Sequence, residues 1–237
     1  MRHIFFSIIF FTATRLFAEA PTDFKAPKEI SQGVFEVGAV RVDKGARTVT
    51  FPAKVNMVDG LLEYLLVSPE GAKHESLLVS EVQPQEVHVA MLLLGAKGMA
   101  TAGGASGRID GESLARAPKL TGERIGIAVR WKTAAGEERT VPVERWIIRR
   151  LEANRKAAKE VVAEDGPWLY TGSYFYETRF LAQAEGAFAS MVSYPAALIN
   201  NPRNGANDDH VWFVNRPAVP PEGTAVDFVI KLEGNGR

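Results

Sequence analysis

Apolar residues concentrate in two neighbouring runs in the first half of the chain, and their patterns differ. Residues 61–67 are almost continuously aliphatic or aromatic, which predicts a buried strand. Residues 73–79 predict a second strand after a Ser-Pro-Glu-Gly turn, with Lys73, Glu75, Leu77 and Val79 on one face and His74, Ser76 and Leu78 on the other. A register symmetric about that turn makes the pair a hairpin and brings Glu63, His74 and Ser76 within reach of one another on one face.

A short helix is predicted directly after these strands. Pro84 suits the first helical position, where its missing N–H costs nothing, and Gly95 suits the position just past the end. Residues 89–94 are apolar on every side, which is typical of a helix that is buried all round. The helix is far too short to span a bilayer.

Alternating patterns continue through the rest of the chain. Residues 123–132 and 137–143 predict an antiparallel hairpin, and residues 224–232 predict a final strand. Residues 149–164 mix charges of both signs with alanines, which predicts a surface helix. The expected class is therefore α+β and β-rich, with antiparallel hairpins, one buried short helix and one or two surface helices.

The N-terminus has the pattern of a secretory signal peptide. Arg2 and His3 precede an apolar run, and small residues follow at Ala18 and Ala20, so we expect cleavage after Ala18. The alternative is an uncleaved membrane anchor, but the apolar run is shorter than the roughly 20 residues that a span needs.

The remaining boundaries follow from composition. A proline-containing, mixed-charge segment follows the signal peptide, and one β-rich domain fills most of the rest. The expected organisation is a signal peptide at 1–18, an extended tether at 19–33, one domain at 34–232 with a candidate internal boundary near 150–167, and a tail at 233–237.

Charge and cysteine content narrow the function classes. The whole chain has 28 basic and 28 acidic side chains, and removing residues 1–18 takes away two arginines. The nearly neutral remainder does not predict a nucleic-acid or anionic-membrane partner, since both require a basic patch. The absence of cysteine excludes disulfides, thiolate nucleophiles and cysteine-bound clusters. We expect a bacterial periplasmic or secreted protein that does not insert into the membrane once the signal peptide is removed.

Two histidines and two carboxylates form the first candidate site. Imidazole and carboxylate groups bind divalent metals and also act as general acids and bases, so Glu63, His74, Glu75 and His88 are candidate metal ligands or catalytic residues. No cofactor motif is present, so a divalent metal is the one cofactor considered. The alternative is that His74 and His88 are core residues hydrogen-bonded to a carboxylate or to the backbone.

Aromatic residues form a second candidate. Trp168, Tyr170 and Tyr174, followed by Phe175 and Tyr176, would suit a platform for a carbohydrate or a peptide. The alternative is that these aromatic residues belong to the core of strands.

A third candidate is the polar loop over residues 200–209. Its asparagines and aspartates carry the oxygen ligands that calcium favours, although the EF-hand spacing is absent. The alternative is that these side chains stabilise turns by binding their own backbone.

An ordered series of motifs gives the chain a family resemblance. The series is Phe-Pro-Ala-Lys-Val-Asn-Met from residue 51, Leu-Glu-Tyr-Leu-Leu-Val from 62, His-Glu-Ser-Leu-Leu from 74, His-Val-Ala-Met-Leu-Leu-Leu-Gly from 88, Trp-Leu-Tyr-Thr-Gly-Ser from 168 and Ala-Leu-Ile-Asn from 197. On these residues the chain resembles the YdjY-like domain family of bacterial secreted proteins over roughly residues 34–232. The resemblance implies no particular reaction. Some relatives are similar in context to iron–sulfur ferredoxin-like proteins, but this chain has no cysteine to bind such a cluster.

The expected function is that of an exported, non-enzymatic module that binds an unidentified protein or small ligand, as an accessory to a larger assembly. This expectation follows from the lack of a complete catalytic motif. The alternative is a metal-dependent enzyme, such as a hydrolase, that uses Glu63, His74, Glu75 and His88.

Overall fold

The computed structural model describes residues 25–99, 120–151 and 159–234 of the chain. The signal peptide predicted at residues 1–18 lies outside these ranges. The described strands are β1 (Lys28–Ser31), β2 (Val34–Val37), β3 (Val40–Asp43), β4 (Thr48–Val55), β5 (Tyr64–Val67), β6 (Ser76–Val79), β7 (Glu123–Lys132), β8 (Glu138–Pro142), β9 (Ile147–Leu151), β10 (Lys159–Val162), β11 (Trp168–Tyr170), β12 (Phe175–Tyr176), β13 (Arg179–Phe180), β14 (Ala187–Ser190), β15 (Ile199–Asn200), β16 (Trp212–Val214) and β17 (Ala225–Leu232). The described helices are α1 (Pro84–Leu93) and α2 (Leu181–Glu185), with 3-10 turns at Lys73–Glu75 and Val143–Trp146.

Eight of these strands close the main sheet on itself. The order runs β4, β17, β7, β11, β15, β14, β5 and β6, and β6 pairs again with β4. Strands β1 to β3 extend the sheet from β4, and β8 extends it from β7. The β-rich class is therefore confirmed, and the closure of the sheet is a feature that the sequence patterns did not predict.

The longest strands supply much of the core because they alternate. In β17 the apolar residues Val226, Phe228, Ile230 and Leu232 are all buried. Phe51 of β4 packs on the Phe228 ring at 5.2 Å between ring centroids. Each fully buried side chain of this size contributes roughly 1.5–3 kcal/mol by leaving water. The predicted hairpin of β7 and β8 and the predicted final strand are both confirmed.

Pro52 lies inside β4 without interrupting the sheet. On one edge of β4, strand β3 pairs with residues up to Thr50 and strand β6 pairs from Lys54 onward. Pro52 falls where one partner gives way to the other, so its missing N–H leaves no gap in a continuous ladder.

The hairpin predicted from residues 61–79 is wrong, because β5 and β6 are parallel. Tyr64 pairs with Ser76, and Val67 pairs with Val79. The turn after β5 does not close a hairpin, because the Ser68 N–H donates to the Gly186 carbonyl at 2.8 Å and Gly71 packs against the same backbone. The chain then returns along the strand through the 3-10 turn at Lys73–Glu75 before β6 begins.

The surface helix predicted over residues 149–164 is also wrong where the structure describes it. Residues 147–151 form β9, which pairs with β10 on one edge and with β16 on the other. Pairing on both edges overrides the helical propensity of the alanines and charged residues in this segment. Residues 152–158 lie outside the described ranges.

Helix α1 begins at Pro84 and ends before Gly95, as predicted, but it is not buried all round. Val87, Ala90 and Met91 are buried, whereas Leu92 is 51% exposed. Among the described elements, the helix packs on β2, β3 and α2, and Leu92 lies on its exposed side.

Within the described ranges, no helix has both the length and the apolar character required to cross a bilayer.

Candidate functional site

His88 lies on α1, is partly buried and contacts an aromatic partner. Its Nδ1 atom lies 2.8 Å from the hydroxyl oxygen of Tyr170, which is buried in β11. The ring of Phe180 packs on the imidazole at 4.9 Å between centroids. Burial lowers the pKa of His88 to about 4 and raises the pKa of Tyr170 above its ordinary value. The imidazole is therefore neutral at pH 7, and the pair is a polar contact of the core.

The other three members of the predicted metal site lie at the surface. The His74 side chain is 78% exposed, and its Nε2 atom lies 3.1 Å from an oxygen of Glu75. Partial burial, followed by the charges of Glu75 and Asp209, raises the pKa of the Glu63 carboxyl group. Glu63, His74 and Glu75 are thus neighbours, although the parallel pairing of β5 and β6 brings them there rather than the predicted hairpin.

The four predicted metal ligands are not assembled into one site. His88 contacts Tyr170 and Phe180. It is not among the charged groups that shift the pKa of Glu63, which are Glu75, Asp209 and His74. In the described part of the chain, one group of at least three histidine and acidic residues has its ligand atoms within 4.8 Å of one another, and it consists of Asp208, Asp209 and His210. This group has the donor types of a divalent-cation site, but all three residues are exposed.

Two asparagines of the predicted calcium loop are structural. Asn200 and Asn201 are fully buried. The Asn200 side chain donates to Thr171 Oγ1 at 3.0 Å and accepts the Tyr194 N–H at 2.7 Å. The Asn201 side-chain amide donates to the Met191 carbonyl at 3.0 Å. Their oxygens are already used inside the protein, so the calcium prediction is wrong for these two residues.

The predicted aromatic platform is wrong for Trp168, Tyr170 and Tyr174, which are all buried. Trp168 and Tyr170 belong to β11, which pairs with β7 on one edge and β15 on the other inside the closed sheet. Their side chains therefore face the core, and a ligand at the surface has no access to them.

The next two aromatic residues have the opposite setting. Phe175 is 44% exposed and Tyr176 is 45% exposed. They form β12, which pairs with β13 across a turn where Glu177 has a φ of 55°. We call residues 175–180 the aromatic hairpin. A large apolar side chain exposed on a folded protein is a typical contact residue for a partner.

The aromatic hairpin is anchored to the core by stacked rings. The Phe175 ring lies 5.2 Å from the Phe180 ring, and the Phe180 ring lies 4.9 Å from the His88 imidazole. Behind them, His88 contacts Tyr170. A continuous series of rings therefore connects the exposed tip to β11, and it fixes the base of the hairpin. No local pattern predicted this series, because His88 comes from α1 whereas the other three rings come from residues 170–180.

A buried ion pair is the main polar contact that the sequence patterns did not predict. Arg203 Nη2 lies 2.6 Å from Glu144 Oε1, and their side chains are only 9% and 4% exposed. The Trp168 indole N–H donates to the same oxygen at 2.9 Å. Arg203 also donates to the carbonyls of Glu164 and Gly166. The pair connects three loops to β11, and because all of its groups have partners we interpret it as structural.

Comparison with known proteins places the chain in one family. The model of the YdjY domain matches residues 40–231, which is most of the 237-residue chain. The searches of curated proteins and of solved structures found no match.

Proposed function

The chain belongs to the YdjY domain family, and we propose that it is an exported, non-enzymatic accessory module that binds a partner through the aromatic hairpin. The observation that carries this proposal is the exposure of Phe175 and Tyr176, two consecutive residues of one short strand. Aromatic side chains are enriched in the centres of protein interfaces, where each one buries a large area at a small entropic cost.

The anchoring of the hairpin supports the same proposal. Phe180 is buried and lies between the exposed Phe175 and the His88 imidazole. A contact surface that is fixed before binding loses less conformational freedom when the partner arrives. The neutral imidazole contributes by filling the space behind Phe180 without carrying a charge into it.

Export is part of the proposal and rests on the residues at the N-terminus. The basic start, the apolar run and the small residues at Ala18 and Ala20 favour secretion and cleavage. N-terminal sequencing of the protein recovered from the periplasm or the medium tests this point. We expect a mature chain that begins at Glu19, and recovery in the cytoplasm with Met1 retained would contradict export.

The binding surface is tested by photo-crosslinking in intact cells of the native host. A photoreactive amino acid replaces Tyr176 in one strain and the exposed Lys73, which lies outside the hairpin, in the control strain. We expect a discrete adduct from position 176 that is absent from position 73, and mass spectrometry then identifies the partner. Equal, diffuse adducts from both positions would contradict the proposal.

A second crosslinking experiment distinguishes a partner that contacts the aromatic hairpin from one that only lies near it. Phe175→Ser in the strain with the photoreactive group at position 176 removes the neighbouring aromatic side chain but keeps the crosslinker. We expect the adduct to decrease severalfold if both aromatic residues contact the partner. An unchanged adduct would mean that the partner lies near the hairpin without using it.

A further inference from the structure

A surface groove lies away from the aromatic hairpin, between the β7–β8 turn and the loop that leads into β17. Its volume is about 510 Å³, within the usual range for ligand sites. Its apolar lining includes Trp131 and the prolines Pro217, Pro220 and Pro221. Its charged lining consists of Lys132 and Arg139, and the lining contains no acidic residue.

The walls of this groove are fixed by contacts on both sides. Trp131 packs edge-to-face on the buried Trp146, with 5.3 Å between ring centroids. The loop between β16 and β17, residues 215–224, carries the three prolines. At its start, the Asn215 N–H donates to the Trp146 carbonyl at 2.8 Å. At its end, the Thr224 hydroxyl donates to the Pro221 carbonyl at 2.6 Å. The groove is therefore formed before any ligand binds, which lowers the entropic cost of binding.

Charge complementarity identifies the class of ligand. Lys132 and Arg139 are the charged residues of the lining and can attract a carboxylate. Two acidic residues lie just outside the lining: Glu137 is 3.6 Å from Arg139, and Glu138 pairs with Lys132 across the β7–β8 hairpin. Grooves lined by aromatic side chains take extended peptide segments in several recognition modules, and Trp131 lines this groove. An anionic sugar is less suited, because its many hydroxyl groups need a denser set of polar side chains than the two threonines, Thr133 and Thr224, provide.

We propose that the groove binds an extended acidic peptide segment of another protein, whose apolar parts pack on Trp131 and the prolines while Lys132 and Arg139 pair with its carboxylates. This site is separate from the aromatic hairpin. The two proposals can therefore fail independently.

The test uses the four tryptophans of the full chain as reporters. Fluorotryptophan labelling gives one ¹⁹F resonance for each tryptophan, and Trp131→Phe assigns the one in the groove. Trp146, Trp168 and Trp212 are buried, so their resonances report whether the fold is intact. The probes are a pool of short blocked peptides with fixed acidic positions and the same pool with those positions changed to amides. An oligomer of glucuronic acid is the third probe.

We expect the acidic pool to shift the Trp131 resonance in a saturable way, and the amide pool to bind at least about tenfold more weakly, which is about 1.4 kcal/mol. The double variant Lys132→Gln and Arg139→Gln should lose this binding. The control variant Lys73→Gln and Arg41→Gln has the same change of net charge at exposed residues outside the groove, and it should keep the binding. Equal binding of both pools, binding of the sugar alone, or no shift at all would overturn the proposal.

Discussion

The two ends of the aromatic segment from Trp168 to Tyr176 have nearly the same composition and opposite settings. Trp168 and Tyr170 are buried in β11, and their polar atoms bind Glu144 and His88. Phe175 and Tyr176, only five residues further along, are almost half exposed. Residue type therefore does not decide which aromatic residues are available to a partner. Strand pairing on both edges makes β11 part of the core, whereas β12 pairs only with β13 among the described strands.

The buried end should be the more sensitive to substitution, and the largest effect is expected for Arg203→Met. The substitution leaves the Glu144 carboxylate buried without its cation, which typically costs about 3–5 kcal/mol. Urea unfolding followed by circular dichroism measures the change. The control is Arg145→Met, because the Arg145–Asp165 pair joins neighbouring segments but is exposed, and its loss should cost at most about 1 kcal/mol. Equal losses in the two variants would contradict a structural role for the buried pair.

Tyr170→Phe should give the next largest effect. It removes the hydroxyl group that lies 2.8 Å from His88 Nδ1 and leaves that nitrogen without its partner, which costs about 1–3 kcal/mol. The same change at the exposed end, Tyr176→Phe, should alter the free energy of unfolding by no more than about 0.5 kcal/mol. Chemical denaturation of both variants checks the comparison, which fails if the two substitutions cost the same.

Acid should lower the stability of the folded protein through protonation of His88. Its pKa is about 4 in the folded protein and near 6.5 when unfolded, so the unfolded chain binds more protons between these values. The free energy of unfolding should therefore fall by roughly 1–3 kcal/mol as the pH decreases from about 6.5 to about 4. In His88→Gln this part of the pH dependence should disappear, while that of the carboxylates remains. Parallel curves for the two proteins would show that His88 titrates normally.

The exposed end should tolerate substitution but lose binding. Phe175→Ser removes one aromatic contact with Phe180, which is worth about 0.5–1.5 kcal/mol, and Tyr176→Ser should cost less. Thermal unfolding of the purified double variant should show a small decrease in midpoint. The crosslinking partner should nevertheless no longer co-purify with this variant. A large loss of stability would instead make the hairpin part of the core.

The smallest effect is expected for His74→Ala. The side chain is mostly exposed, and its contact with Glu75 is a surface ion pair, so the free energy of unfolding should change by less than about 0.5 kcal/mol. His88→Ala, measured in the same experiment, should be clearly destabilising because it removes the ring that packs on Phe180 and contacts Tyr170. The two histidines were predicted to act together, and a similar effect of both substitutions would restore that hypothesis.

The sequence predicted those elements whose signal is local. The alternation in β7 and β17 shows which side chains are buried, because one face of each strand packs on the core. Pro84 and Gly95 mark the ends of α1 through their own backbone preferences.

The errors concern properties that depend on distant partners. Residues 147–151 are a strand because β10 and β16 pair with them, and β5 and β6 are parallel because the turn after β5 packs on Gly186. Likewise, Tyr170 takes His88 as its partner across 82 positions of sequence, so no local pattern could assign that histidine to the core.

Covalent labelling of the tyrosines tests the central claim most directly, because it reads both ends of the aromatic segment in one sample. Hydroxyl-radical footprinting is performed on the purified protein and on intact cells of the native host, and modification at Tyr170 and Tyr176 is quantified by mass spectrometry. We predict that Tyr170 is protected in both samples, whereas Tyr176 is modified in the purified protein and protected in cells. Modification of Tyr170 in the purified protein, or equal modification of Tyr176 in both samples, would contradict the account.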